Sequence, residues 1–342
     1  MANPWRVGLT RDILDARGEP AFGRAVLTVL DQAPDLSWTY LPEVVPAITA
    51  EHAAEYDALY VNTARVPAAA VARSDCRLRV VARHGVGYDS VDIPAMTAAG
   101  VVVTHTPNPM PRPVATIALT FILALAGKLL QKDRLTRAGR WHERMEHMGM
   151  GLTGRTLGVI GAGRIGQELL RMARTFDLEL LATDPFRDAV ELRYVGARNV
   201  DLATLLEASD FVVVCCLLNA ATRHLIGAPE FARMKPTAYF INVARGPIVD
   251  EAALIEALRE HRIAGAALDV FETEPVDPRN PLLAMDDVIV TPHSLCWTDE
   301  CFHNMAATGL ASIVDALAGR RPQFIVNRDV LDHPRVRAWL SP

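Results

Sequence analysis

An arginine, a glutamate and a histidine stand at the ends of three successive apolar runs: Arg245 in "INVARGPIVDE", Glu274 in "AALDVFETEP" and His293 in "VIVTPHS". An arginine can grip a carboxylate in a two-pronged fork and polarise a carbonyl beside it. A histidine can give or take a proton, and a glutamate on its other ring nitrogen favours the imidazolium form. The three together suit hydride transfer on a carboxylate-bearing substrate. Taken singly they read as a surface charge, a turn acid before proline, and a capping or core histidine. Their shared position at strand ends, next to a nucleotide fingerprint, favours the chemical reading.

That fingerprint lies in "TLGVIGAGRIGQELL", where Gly161, Gly163 and Gly166 form G-x-G-x-x-G between a strand and a helix. The first glycine permits the tight turn, the second lets the backbone approach a pyrophosphate, and the third lets helix and strand pack closely. The helix then offers unpaired N–H groups and a positive dipole end to the phosphates. A second strand, "LELLATD", ends in Asp184, at the distance where an acid is needed for the adenosine ribose hydroxyls. A carboxylate there repels a 2′-phosphate, so the cofactor expected is NAD rather than NADP. Arg187, three residues on, could turn toward such a phosphate or be a solvated loop charge.

The elements that position these residues fall into two series. Over the first hundred residues strand-like and helix-like runs alternate: "WRVGLT", a helix near Phe22 to Ala33, "LSWTYL", a helix after Thr49, "ALYVN", "LRVVARHG", a helix after Ser90, and "VVVTHT". Such alternation predicts a parallel sheet covered by helices. "TPNPMPRP", residues 106–113, reads as a crossing between domains. A nearly all-apolar helix from Val114 to Leu130 follows and continues into the basic run "KDRLTRAGRWHER"; being apolar on most sides, it is expected at a subunit interface. The second α/β series runs from "TLGVIG" through "FVVVCC", "AYFINVA" and "IAGAALDVF" to "DVIVTP", and a final long helix can return to the first domain.

Composition narrows the function further. The chain has 342 residues, half of them apolar, and a net charge of −5, so it can hold two cores and has no bias toward nucleic acid. The start, "MANPWRVGLTRDILD", does not read as a leader, and the longest uncharged apolar stretch, Pro113 to Gly127, is too short to span a bilayer. A cytoplasmic protein with no membrane partner is expected. Five cysteines without CxxC spacing fit a reducing compartment, with Cys215 and Cys216 read as part of a buried strand. His293, Cys296, Cys301 and His303 are spaced wrongly for a zinc knuckle, and no metal is expected.

"HGVGYDSVD" at His84 to Asp92, "GVIGAGRIGQ", "NVARGPIVDE", "ALDVFETEP" and "TPHS" together make the chain resemble the D-isomer-specific 2-hydroxyacid dehydrogenase family over nearly its whole length. The resemblance implies an α/β fold of two flavodoxin- or Rossmann-like domains with parallel sheets and an active site in the cleft between them. Residues 1–106 with 296–342 would form the substrate domain, and 107–295 would bind NAD and dimerise. It implies catalytic roles for Arg245, Glu274 and His293. Cofactor contacts are expected from Gly161, Gly163, Arg164, Ile165, Gly166, Asp184, Cys216, Leu217, Thr222, Val243, Ala244, Asp269 and His293. Substrate contacts are expected from His84, Val86, Gly87, Arg245 and Trp297, with Val86 and Gly87 forming a backbone cradle for the carboxylate.

The chain also departs from the family pattern. Thr116 replaces a glutamate, Leu217 stands where a proline is common, and bulky Trp297 follows the histidine where small residues are usual. Trp297 and Leu295 would line an apolar wall and select a 2-oxo acid larger than glyoxylate; Trp297 buried at a domain or subunit contact is the competing reading. No room is expected for an appended amino-acid-sensing domain. Formate and phosphite dehydrogenases share the fold, but formate enzymes carry glutamine at the position of Glu274. A non-catalytic NAD-sensing scaffold, like the family's corepressors, is the alternative of another class.

Overall fold

The computed structural model describes residues 4–340. It divides into two compact units: the chain up to Met110 together with the chain from Trp297 onward, and Pro111–Cys296.

The first unit is built on five strands, β1 (Trp5–Leu9), β2 (Leu36–Tyr40), β3 (Ala58–Val61), β4 (Val80–Arg83) and β5 (Val102–Thr104). All pair in parallel, in the order β2-β1-β3-β4-β5. Both faces are covered, so β3 is buried at every residue and shows no polar alternation. Because successive side chains point to opposite faces, Ala58 and Tyr60 join one core with Val7, Leu9 and Val80, while Leu59 and Val61 join another with Val81 and Val103. The helix Asp299–Leu317 returns to the first of these cores through Phe302, Met305, Leu310 and Ile313. Its Gly309 makes that fit possible, because a Cβ there would stand 2.5 Å from the Tyr60 ring.

The second unit carries seven parallel strands: β6 (Thr156–Ile160), β7 (Glu179–Thr183), β8 (Arg198–Asn199), β9 (Phe211–Val214), β10 (Tyr239–Asn242), β11 (Gly265–Leu268) and β12 (Val288–Val290). Their order, β12-β11-β10-β9-β6-β7-β8, places β6 between β9 and β7. The winding direction reverses there, and in open α/β sheets a ligand sits at the carboxyl ends of the strands flanking such a reversal. The core beneath is formed by Ile160, Val212, Val214, Phe231, Phe240, Leu254 and Leu268.

Two sequence expectations need correction here. The apolar helix runs Pro111–Ala126 and stops; a separate helix, Leu129–Arg137, leaves it at a bend of 57°. Lys128 adopts φ 49° between them, and the Ala126 carbonyl accepts a hydrogen bond from Met150 N at 2.8 Å, which ends the first helix from outside. Pro111 and Pro113 belong to its first turn, where their missing N–H groups cost nothing. The expected burial at a subunit interface is also replaced: Val114, Ile117, Ala118, Phe121, Ile122 and Leu125 are buried within the unit, where the helix packs on Arg164–Ala173 and β10. No single helix among the described residues is long and apolar enough to cross a membrane.

Candidate active site

The glycine turn is tightly specified. Gly161 has φ 92°, and a Cβ on it would lie 2.5 Å from the backbone of Cys216, so the ends of β6 and β9 approach each other only because this residue is glycine. A Cβ on Gly166 would meet Gly161 O at 2.2 Å, which holds the helix Arg164–Ala173 against its strand. Gly163 differs from both, since a Cβ there would point into open space. Helices elsewhere in the chain open on side-chain caps, such as Asp92, Asp188 and Asp250, but this one opens on Gly163 with none. A bare helix N-terminus behind an open glycine fits a pyrophosphate.

At the end of β7, Asp184 accepts Ala162 N at 2.9 Å through Oδ2 and Phe186 N at 2.9 Å through Oδ1. Each oxygen keeps lone-pair capacity for a ribose hydroxyl, so Asp184 both braces the glycine turn and presents a carboxylate beside it. Cys215 and Cys216 lie just beyond β9 rather than within it. Burial pushes the Cys216 thiol up to about 11, so it stays protonated near neutrality. Thr222 donates to Leu217 O at 2.6 Å and accepts Asn219 N at 2.8 Å, which closes the loop after β9.

The second unit also assembles the ionisable trio. His293 Nδ1 lies 2.7 Å from Glu274 Oε2, with the imidazole 39% and the carboxylate 35% exposed. The other Glu274 oxygen accepts Phe271 N at 2.9 Å. Burial opposes ionisation of Glu274, but the hydrogen bond and charge of His293, the Phe271 N–H and the nearby Arg245 outweigh it and hold the carboxyl below its usual value. An ionised Glu274 accepts a hydrogen bond from Nδ1–H and leaves Nε2 for a reactant.

Two residues that the sequence reading did not assign to this role organise the loops. Asn242, 1% exposed at the end of β10, accepts Ala244 N through Oδ1 and donates to Arg245 O, both at 3.0 Å. Val243, Ala244 and Arg245 are thereby set as a defined loop. A Cβ on Gly246 would stand 1.8 Å from Phe271 O, so the Arg245 loop and the Glu274 loop are in direct backbone contact. Asp269, expected as a cofactor contact, is 3% exposed and spends Oδ1 on the histidine loop, accepting Thr291 Oγ1 at 2.6 Å, Ser294 N at 3.1 Å and Leu295 N at 3.3 Å. Buried Asn and Asp at strand ends carry a signal of this kind, but only the fold shows which loop each one holds.

In the first unit, the loop after β4 is tied by Gly85 N to Thr106 Oγ1 at 2.8 Å and by His105 Nδ1 to Val86 O at 2.9 Å. The N–H groups of Val86 and Gly87 have no hydrogen-bond partner among the described residues, as a carboxylate cradle requires. His84 is 2% exposed, with Nδ1 bonded to Tyr60 Oη and its ring against Phe302 at 4.7 Å, so its side chain is built into the core. Burial and the neighbouring Arg83 charge push its imidazole down to about 3. Trp297 also rests on Phe302, rings 4.9 Å apart, and is 46% exposed. Among the described residues no group of three or more His, Cys, Asp or Glu side chains converges as a metal site; Cys301 faces Met110 Sδ instead, at 3.6 Å.

Fold and site together define a Rossmann-type, dinucleotide-binding α/β enzyme. Residues 119–294 match the model of the D-isomer specific 2-hydroxyacid dehydrogenase NAD binding domain. A glyoxylate reductase of Thermofilum pendens is 40% identical over 258 residues, 74% of this chain and 76% of that one. A D-3-phosphoglycerate dehydrogenase of Archaeoglobus fulgidus is 39% identical over 273 residues, 80% of this chain and 52% of the longer relative. Among solved structures, a glyoxylate reductase from Paecilomyes thermophila superposes with a TM-score of 0.80 at 28% identity, covering 95% of this chain and 99% of that one. The chain belongs to the D-isomer-specific 2-hydroxyacid dehydrogenase family and is an NAD-dependent enzyme of that class.

Proposed function

We propose that the protein reduces a 2-oxo acid to a D-2-hydroxy acid, and runs the reverse oxidation, with His293 as the acid and base, Glu274 as its partner and Arg245 as the substrate-binding cation. The observation that carries this reading is the 2.7 Å contact between His293 Nδ1 and Glu274 Oε2, with the Glu274 loop in direct backbone contact with the Arg245 loop at Gly246. NAD, when bound, supplies or receives the hydride. Gly161, Gly163, Arg164, Ile165, Gly166 and Asp184 would hold its pyrophosphate and adenosine ribose; Cys216, Leu217, Thr222, Val243, Ala244 and Asp269 would shape the nicotinamide side. Protonated at Nε2, His293 donates to the carbonyl oxygen as it gains negative charge, and ionised Glu274 stabilises that protonated state. Arg245 grips the substrate carboxylate and polarises the carbonyl.

The two relatives described above act, by their names, on glyoxylate and on D-3-phosphoglycerate, both within the 2-hydroxy and 2-oxo acid class. The exposed Trp297 face supports a substrate with a side chain larger than that of glyoxylate. Leu129, Trp141, Met145 and Met148 leave an apolar surface exposed beside the first helix of the second unit, which supports a homodimer formed through that unit. Five free thiols support a cytoplasmic setting. The test is NADH oxidation followed by absorbance against 2-oxo acids from glyoxylate to aromatic ones, in the parent and in His293→Ala. Turnover of one group, lost in the variant, is the expected result; NADH binding without turnover of any of them would favour a sensing scaffold.

A further inference from the structure

The loop after β7 places a cation beside the acid that reads the cofactor ribose. Arg187 N donates to Asp184 O at 3.3 Å, folding residues 184–187 into one turn, and Asn199 Nδ2 donates to Arg187 O at 3.1 Å. The backbone of Arg187 is therefore fixed, and only its side chain is free to choose a partner. Arg187 Nη1 donates to Glu191 Oε1 at 3.1 Å, and Gln167 Nε2 donates to the same oxygen at 2.9 Å. Gln167 in turn donates to Ala162 O at 3.0 Å, inside the glycine turn. Glu191 is itself placed by the helix cap, since its N–H donates to Asp188 Oδ1 at 2.7 Å. The Nε of Arg187 is buried and meets no acceptor among the described residues, so the guanidinium is held at one end only.

We propose that Glu191 is a positioning residue for cofactor choice: by holding Arg187 against the helix Ala189–Tyr194, it denies a 2′-phosphate the one nearby cation on this turn. The inference rests on the NAD reading of the same site and deepens it. Asp184 alone repels a 2′-phosphate, but a mobile arginine three residues away would offset that repulsion with a charge-assisted, two-pronged contact. Engaged by Glu191, the arginine is both neutralised and turned aside. The latch also links ribose recognition to the phosphate loop through Gln167.

The test uses the full-length protein and titration calorimetry with 2′,5′-ADP and 5′-AMP, which carry the ribose with and without the extra phosphate, followed by NADPH and NADH. In Glu191→Ala the ratio of the 2′,5′-ADP to the 5′-AMP dissociation constant is expected to fall about twofold, the value of one partly exposed i,i+4 ion pair. Glu191→Gln, which keeps the side-chain length and loses the charge, is expected to give a smaller fall in the same direction. Arg187→Ala alone is expected to leave the parental ratio, and the double variant Glu191→Ala with Arg187→Ala to restore it. An unchanged ratio in both Glu191 variants, or a gain that survives loss of Arg187, would overturn the latch while leaving the NAD site standing. A parent that binds neither NADH nor 5′-AMP would overturn the cofactor reading and the latch with it.

Discussion

Two histidines mark the carboxyl-end rims of the two sheets, and they have opposite fates. His84 follows β4 in the first unit, sits in the core against Tyr60 and Phe302, and stays neutral because burial and Arg83 push it down to about 3. His293 follows β12 in the second unit, adopts φ 54°, remains partly open and has a carboxylate on its inner nitrogen. Both use Nδ1 to anchor the ring. The anchor differs: a phenol adds no charge, whereas the ionised Glu274 carboxylate brings one. The environment of a strand-end histidine is therefore set by its partner and by its access, and not by its position alone.

Substitution at the two sites should separate rate from stability. The largest effect is expected for His293→Ala, with kcat/KM on the preferred 2-oxo acid down by about 10³-fold and the melting temperature little changed. Steady-state kinetics beside a thermal melt checks this; a comparable loss of activity in His84→Phe with its melt unchanged would erase the contrast. Glu274→Gln is expected to cost about 10²-fold, because a neutral amide cannot stabilise the imidazolium. Its pH dependence has a definite sign. The folded-state pKa of Glu274 lies below the ordinary 4.5, so the stability it contributes is present above 4.5 and is lost as pH falls through the lowered value. Acid unfolding of the glutamine variant should lack that component.

Smaller effects sharpen the comparison. Gly246→Ala should destabilise the second unit by about 3 kcal/mol, since its Cβ cannot coexist with Phe271 O, and should disturb Arg245 and Glu274 together. Denaturant unfolding reads the first consequence and kinetics the second. At His84 the expectation concerns protons. Its folded pKa of about 3 lies below the ordinary 6.5, so the unfolded chain binds the extra proton and stability falls as pH drops from 6.5 toward 3. That fall should amount to about 1.4 kcal/mol per pH unit and should vanish in His84→Phe, as followed by denaturant midpoints across that range.

The sequence alone determined most of the architecture, because the central strands, such as β3, β6, β9 and β10, are short apolar runs, and sheets buried on both faces demand that pattern. "FVVV" in β9 and "YFIN" in β10 are runs of that kind. The glycine turn was equally legible, since each glycine answers a local need: a φ of 92° at Gly161, open space at Gly163, a backbone contact at Gly166. Other features depend on groups distant in the chain. The helix that begins at Pro111 could not be ended by reading forward, because the N–H that caps Ala126 comes from Met150. Asp269 stands out in the sequence as a polar strand-end residue, but that its Oδ1 holds Thr291, Ser294 and Leu295 shows only in the fold. His84 belongs to a motif in the sequence, but only the fold shows that Tyr60 and Phe302 close over it, one from 24 residues earlier and the other from the far end of the chain. Local patterns fix elements because backbone geometry and burial act over a few residues; the partner of a buried polar group is set by which strands become neighbours, and only the tertiary structure decides that.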